Sequence, residues 1–131
     1  MNKTLTLAAA LVLLLSSCTH MMTGKPGDPR PTRLSVNDGR LVVNQEPIYV
    51  STRDATIVWY VPLFSSYRFP REGAVTFREG SEEFSCRVAE DARSVSCVDR
   101  YTRKGAFKYT IRLAQENGQA LEPLDPYVVN N

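Results

Sequence analysis

Four side chains make up the reactive inventory of this chain: the thiols of Cys18, Cys86 and Cys97 and the imidazole of His20. A thiol can be acylated, oxidised to a disulfide or bound to a metal, and an imidazole can act as a base or a ligand. His20 is the only histidine and stands two residues after Cys18, so the chain beyond it has no imidazole for a general base or a Ser-His-Asp triad. The carboxylates of Glu82 and Glu83 are adjacent in a polar turn, where neighbouring side chains diverge, and an acid and base pair is not expected of them. No phosphate-binding loop and no nucleophile elbow is present. The expectation is a protein that is not an enzyme, with no catalytic residue, no cofactor and no small-molecule substrate. His20, Met21 and Met22 offer soft donors for Cu(I), which makes a tether-based copper carrier one alternative. Three adjacent residues fix no coordination geometry, and no metal site is assigned.

Cys18 follows an uncharged apolar run, LTLAAALVLLL, that starts after Lys3 and is too short to span a bilayer, which takes about 20 residues. The four residues Leu15, Ser16, Ser17 and Cys18 resemble the lipobox of bacterial lipoproteins. That resemblance implies a signal peptide over residues 1–17, cleavage before Cys18 and acylation of the new amino terminus. Each buried methylene adds about 0.8 kcal/mol, and more than one acyl chain gives a stable anchor, so the expected partner of Cys18 is the membrane. Thr19 stands where an inner-membrane retention signal would be Asp. By the same resemblance, the expected location is the outer membrane, with the protein facing the periplasm.

Removing Lys3 with the leader leaves fifteen basic residues against fourteen acidic ones, a net charge of +1. No nucleic-acid footprint is expected from that balance. Residues 18–32 have the Pro, Gly and polar content of a flexible tether, which leaves residues 33–131 for one domain. Cys86 and Cys97 are then an even pair in a chain that reaches an oxidising compartment, and a disulfide between them is expected.

The elements that must carry these residues read as short strands. In FKYTIRL, Phe107, Tyr109, Ile111 and Leu113 alternate with Lys108, Thr110 and Arg112, the pattern of a half-buried strand. ATIVWYVP at residues 55–62 is β-branched and aromatic throughout, as a strand buried on both faces would be. RLVVN, PIYVS, GAVTF, EFSCRV, SVSCVD and YVVN complete the set, with Cys86 on the inward side of EFSCRV and AEDAR at the tip of a hairpin to Cys97. Only SEE and AEDAR could hold a helical turn. Seven or eight strands without a crossover helix predict an all-β protein, a single antiparallel β-sandwich with one disulfide.

The succession IVWYV, YRFP, the paired cysteines, FKYTIRL and LDPYVVN resembles small exported bacterial domains with a cupredoxin-like or immunoglobulin-like sandwich, over residues 41–131. Copper-binding members of such folds use two His, a Cys and usually a Met. This body has no His, so the resemblance implies the fold without copper. Trp59 also precedes both cysteines, whereas in antibody domains the Trp lies between them.

Two clusters could meet a partner. Phe64, Tyr67, Arg68 and Arg71 lie in the aromatic and arginine-rich stretch after Trp59, a composition typical of interface hot spots. Arg100, Arg103 and Lys104 form a basic group in a turn. The functional expectation is a membrane-anchored periplasmic binding or accessory domain for an envelope protein or a cell-wall partner. The alternative within that compartment is an inhibitor of an envelope hydrolase such as lysozyme, with Arg68 or Arg103 reaching into an acidic cleft.

Overall fold

The computed structural model describes residues 24–131; the expected signal peptide, Cys18 and residues 20–22 lie outside them. The strands are β1 (Thr32–Asn37), β2 (Arg40–Val43), β3 (Ile48–Val50), β4 (Ala55–Tyr60), β5 (Tyr67–Arg68), β6 (Val75–Phe77), β7 (Phe84–Val88), β8 (Ser94–Asp99), β9 (Gly105–Ile111), β10 (Ala114–Gln115) and β11 (Tyr127–Asn130). A single 3₁₀ turn, Ser81–Glu83, occupies the SEE segment.

Period-two alternation decides which side chains meet. From the five-stranded sheet, in the order β2-β1-β4-β8-β7, Leu34, Ile57, Trp59, Val95 and Cys97 point inward. They meet Ile48, Phe107, Tyr109, Ile111 and Val128 from the four-stranded sheet, in the order β3-β11-β9-β6. A two-stranded ribbon of β5 and β10 lies beside them. The protein is thus an all-β sandwich with one disulfide, joining Cys86 to Cys97. Those two residues are directly opposed in the antiparallel β7–β8 pair. Cys97 is fully buried in the sheet, whereas Cys86 is exposed because β7 forms its edge.

The sheets are mixed, not wholly antiparallel. β1 runs parallel to β4, with Thr32 opposite Trp59, and β11 runs parallel to β3, with Val128 opposite Ile48. No crossover helix is needed for the first pair, because the chain leaves β2, contributes β3 to the other sheet and returns as β4. β1 itself is not evident in the sequence. Its hairpin with β2 turns at Asp38 and Gly39, both at positive φ, the dipeptide favoured in a tight hairpin turn.

β4 also differs from expectation. Its inward residues Ala55, Ile57 and Trp59 are buried, but Thr56, Val58 and Tyr60 are half-buried. Their partial cover includes the described part of the segment expected as tether. Asp28 accepts the Thr56 N–H through Oδ1 at 2.8 Å and the Lys25 N–H through Oδ2 at 2.7 Å, so residues 24–31 are fastened to the sheet. They wall a cavity of about 410 Å³ floored by Thr56, Val58, Ser94 and Ser96.

Candidate functional site

The chain leaves β4 through Pro62, Leu63, Phe64 and Ser65, a turn closed by the Ser65 N–H donating to the Pro62 carbonyl at 2.9 Å. Its central side chains carry no packing role: Leu63 is 69% exposed and Phe64 97%. The backbone beneath them is held on several sides. Arg93, from the β7–β8 turn, donates Nη1 to the carbonyls of Leu63 and Pro62, and its own carbonyl accepts the Val61 N–H at 2.9 Å. Arg68 donates Nη1 to the carbonyls of Ser65 at 2.6 Å and Tyr67 at 2.7 Å, while its Nη2 bridges Glu116 at 2.5 Å. The Glu116 N–H in turn donates to the Ser66 carbonyl at 3.0 Å.

These contacts divide the first cluster read from the sequence. Phe64 is presented outward, and Tyr67 is half-buried. Arg68 and Arg71 serve instead as backbone clamps, Arg71 donating Nη1 to the Ala89 carbonyl at 3.0 Å and Nη2 to that of Glu90. A guanidinium carries five donors in a rigid fork, which suits the tying of successive carbonyls. Arg93 completes the clamp, and its sequence position in the AEDAR turn gave no signal of that. Beside the turn, Leu34, Val36, Val61, Tyr67 and Leu113 line a groove of about 400 Å³ with Phe64 at its margin.

The second cluster lies at the opposite end of the sheet. β8 is antiparallel to β4, with Asp99 opposite Ala55, so the chain following Asp99 emerges where β4 begins. Arg103 bridges Glu82 at 2.8 Å, and its guanidinium stands over the Phe107 ring at 5.6 Å. Arg100 reaches the Glu82 carbonyl at 3.5 Å. Lys104 is exposed and lines a cleft of about 740 Å³ with Arg103, Arg78, Lys108 and Tyr127. Lys108 was legible as the polar side of FKYTIRL, but not as a neighbour of Arg103.

Beneath this end lies a buried polar group that the sequence reading missed. Glu83 is buried and accepts the Thr102 N–H at 2.8 Å and the Thr102 hydroxyl. Burial pushes its carboxyl up, and the donors of Thr102 and Arg103, with the Arg103 charge, outweigh that and hold it below the ordinary glutamate range. Asp99, fully buried, accepts the Tyr101 N–H at 2.8 Å and Asn130 Nδ2 at 3.3 Å through Oδ1. Among the described residues, its Oδ2 has no hydrogen-bond partner, and neither has Asn130 Oδ1. Burial raises the Asp99 carboxyl above its ordinary range despite those two donors, and the Glu83 charge adds to the rise. The alternation of Val95, Cys97 and Asp99 was a legible sign that Asp99 faces inward.

Among the described residues, no cluster of His, Cys, Asp and Glu is arranged to hold a metal ion. His20, Met21 and Met22 lie outside the described residues. No protein-family model matches the chain, and neither does any curated protein.

Proposed function

We propose that the chain is a lipid-anchored binding domain of the cell envelope, without catalytic activity, which presents the Leu63–Phe64 turn to a protein partner. The observation that carries this reading is a phenylalanine left 97% exposed on a backbone fixed by two arginines. Ordering a mobile loop at an interface costs binding energy, and a turn already held by guanidinium bonds avoids that cost. Burial of one such aromatic in a partner's pocket contributes about 2 kcal/mol, and aromatic anchors of this kind dominate many interfaces.

Acylated Cys18 would hold the domain to the outer membrane on its periplasmic side. From Cys18 to Lys25, whose N–H is already bound by Asp28, the backbone spans at most about 24 Å when fully extended. The domain therefore works close to the membrane surface.

The test is purification of the protein from membranes after mild crosslinking, with mass spectrometry of its amino terminus and of whatever is captured. An acylated Cys18 and one protein partner, reproducibly captured by the native chain and lost with Phe64→Ser, is the expected result. Equal capture by the native and Phe64→Ser chains would sink the turn as the contact.

The projecting turn also favours a second reading, an inhibitor of an envelope hydrolase such as lysozyme that plugs the enzyme's cleft. Arg68 is bridged to Glu116 and so is not free for an acidic cleft; the plug would be apolar. Inhibition of lysozyme by the native protein and its loss in Phe64→Ser would select this reading.

A further inference from the structure

The cleft at the far end from the Leu63–Phe64 turn has a charge pattern that the fold does not require. Arg78, Arg103, Lys104 and Lys108 face it against Glu79 and Glu82, a surplus of two positive charges. The chain after residue 17 has a surplus of only one, so the rest of it is net negative. Among the described residues, only Arg103 of these four cations has a carboxylate partner. Arg78, Lys104 and Lys108 are exposed and unpaired, a concentration of like charge that raises the local potential for an incoming anion.

The cleft is also shaped in advance. Arg103 is fixed between Glu82 Oε1 and the Phe107 ring. Gly80, at φ +69°, forms the wall against them, where a Cβ would come within 2.6 Å of the Phe107 ring and 2.9 Å of Arg103 Nη2. Only glycine lets the backbone approach that closely in that conformation.

Ala106 and Lys108 are exposed on the outer side of β9, and Lys104 is exposed just before Gly105, where the strand begins, so the two lysines line the same cleft with the small Ala106 between them in sequence. The cleft, about 740 Å³, is far larger than one phosphate or carboxylate and draws its cations from two segments, Arg78 from one and Lys104 and Lys108 from the other, so the charges suit an extended ligand. Opposite Lys108 on β11 is Tyr127, 40% exposed, with the Lys108 Nζ over one face of its ring, 5.8 Å from the centre. A sugar would stack its C–H side on the ring face turned away from Lys108, while the lysines take its anions.

We infer that this cleft binds a short anionic glycan, its phosphate or carboxylate groups on Lys104, Lys108 and Arg78 and a sugar ring on Tyr127. This site is independent of the Leu63–Phe64 turn, and either can fail without the other.

The test is titration of the purified full chain, by calorimetry and by NMR, with trehalose 6-phosphate, trigalacturonate, maltotriose and inorganic phosphate. The expected result is saturable binding of trehalose 6-phosphate or trigalacturonate, whichever binds identifying the anion. It should shift the signals of Ala106, Lys108 and Tyr127, weaken with salt, and be absent with maltotriose. The Lys104→Gln, Lys108→Gln double variant should bind at least about tenfold more weakly. Tyr127→Ala should weaken sugar binding and leave inorganic phosphate unaffected. Both substituted lysines and Tyr127 are exposed, and circular dichroism of each variant checks the fold. The inference is overturned if neither anionic sugar binds, if inorganic phosphate or maltotriose binds as well as they do, or if the lysine variant binds like the native chain.

Discussion

The indole Nε1 of Trp59 donates a 3.0 Å hydrogen bond to the hydroxyl of Tyr109, joining β4 of one sheet to β9 of the other at the centre of the sandwich. Both residues are buried, with their ring centres 5.1 Å apart and tilted by 59°. These are the two largest fully buried side chains, and their hydrogen bond satisfies the indole N–H. The pair therefore ties the two sheets together at the core.

Tyr109→Phe keeps the ring and removes the acceptor, which leaves a buried N–H without a partner. The expected loss is about 1 to 3 kcal/mol in urea unfolding, larger than for the same change at the exposed Tyr127. Burial also pushes the Tyr109 phenol far above its ordinary range, against the smaller opposing effect of the Trp59 N–H. A phenol raised in the folded state contributes stability that is complete below the unfolded value of about 10 and lost as pH rises through the folded one. In an alkaline absorbance titration, Tyr109 should ionise only as the fold opens.

Asp99 and Glu83 should give opposite pH dependences. The Asp99 carboxyl is raised, so its contribution is complete below the unfolded value of about 3.9 and is lost as pH rises through the folded one. The Glu83 carboxyl is lowered, so its contribution is present above the unfolded value of about 4.3 and is lost as pH falls through the folded one. Asp99→Asn is expected to be more stable than the native chain at pH 7, the difference shrinking as pH falls toward 4. Glu83→Gln is expected to be less stable at pH 7, with a gap that also closes in acid. Unfolding curves across pH 3 to 8 on the three proteins check both signs, and an Asp99→Asn variant less stable at pH 7 would contradict the first.

The two disulfide cysteines should differ after reduction. Cys86 is exposed on the edge strand, and Cys97 is buried beside it. Mild reduction of the folded protein followed by iodoacetamide should label Cys86 and spare Cys97 until denaturant is added, as read by peptide mass spectrometry. Replacing both by Ala is expected to cost about 3 kcal/mol in the chain-entropy account of so short a loop.

Gly80→Ala tests the wall of the basic cleft. The left-handed backbone and the contact with Phe107 together should cost about 2 kcal/mol. Gly39→Ala, at φ +73° with open space around it, carries the backbone cost alone and is expected to lose about 1 kcal/mol. A difference between the two in thermal unfolding isolates the contact.

What the sequence determined by itself is the local periodicity. Phe107, Tyr109, Ile111 and Leu113 alternate in the chain, and all four are buried, because side chains on a strand point to opposite faces whatever the strand pairs with. The limits of SVSCVD and YVVN, and the opposition of Cys86 to Cys97 across a short hairpin, are local in the same sense. The tertiary structure alone decided pairings between distant segments: β1 beside β4, β11 beside β3, and residues 24–31 fastened across β4. It also decided the roles of the arginines. Arg68, Arg71 and Arg93 are the same residue type as Arg103, yet these three hold backbone carbonyls, Arg68 those of its own turn and Arg71 and Arg93 those of segments distant in sequence, and Arg103 stands over an aromatic ring in a charged cleft. A guanidinium's partner is set by which carbonyls and carboxylates come within about 3 Å of it, and that distance is a property of the packed chain.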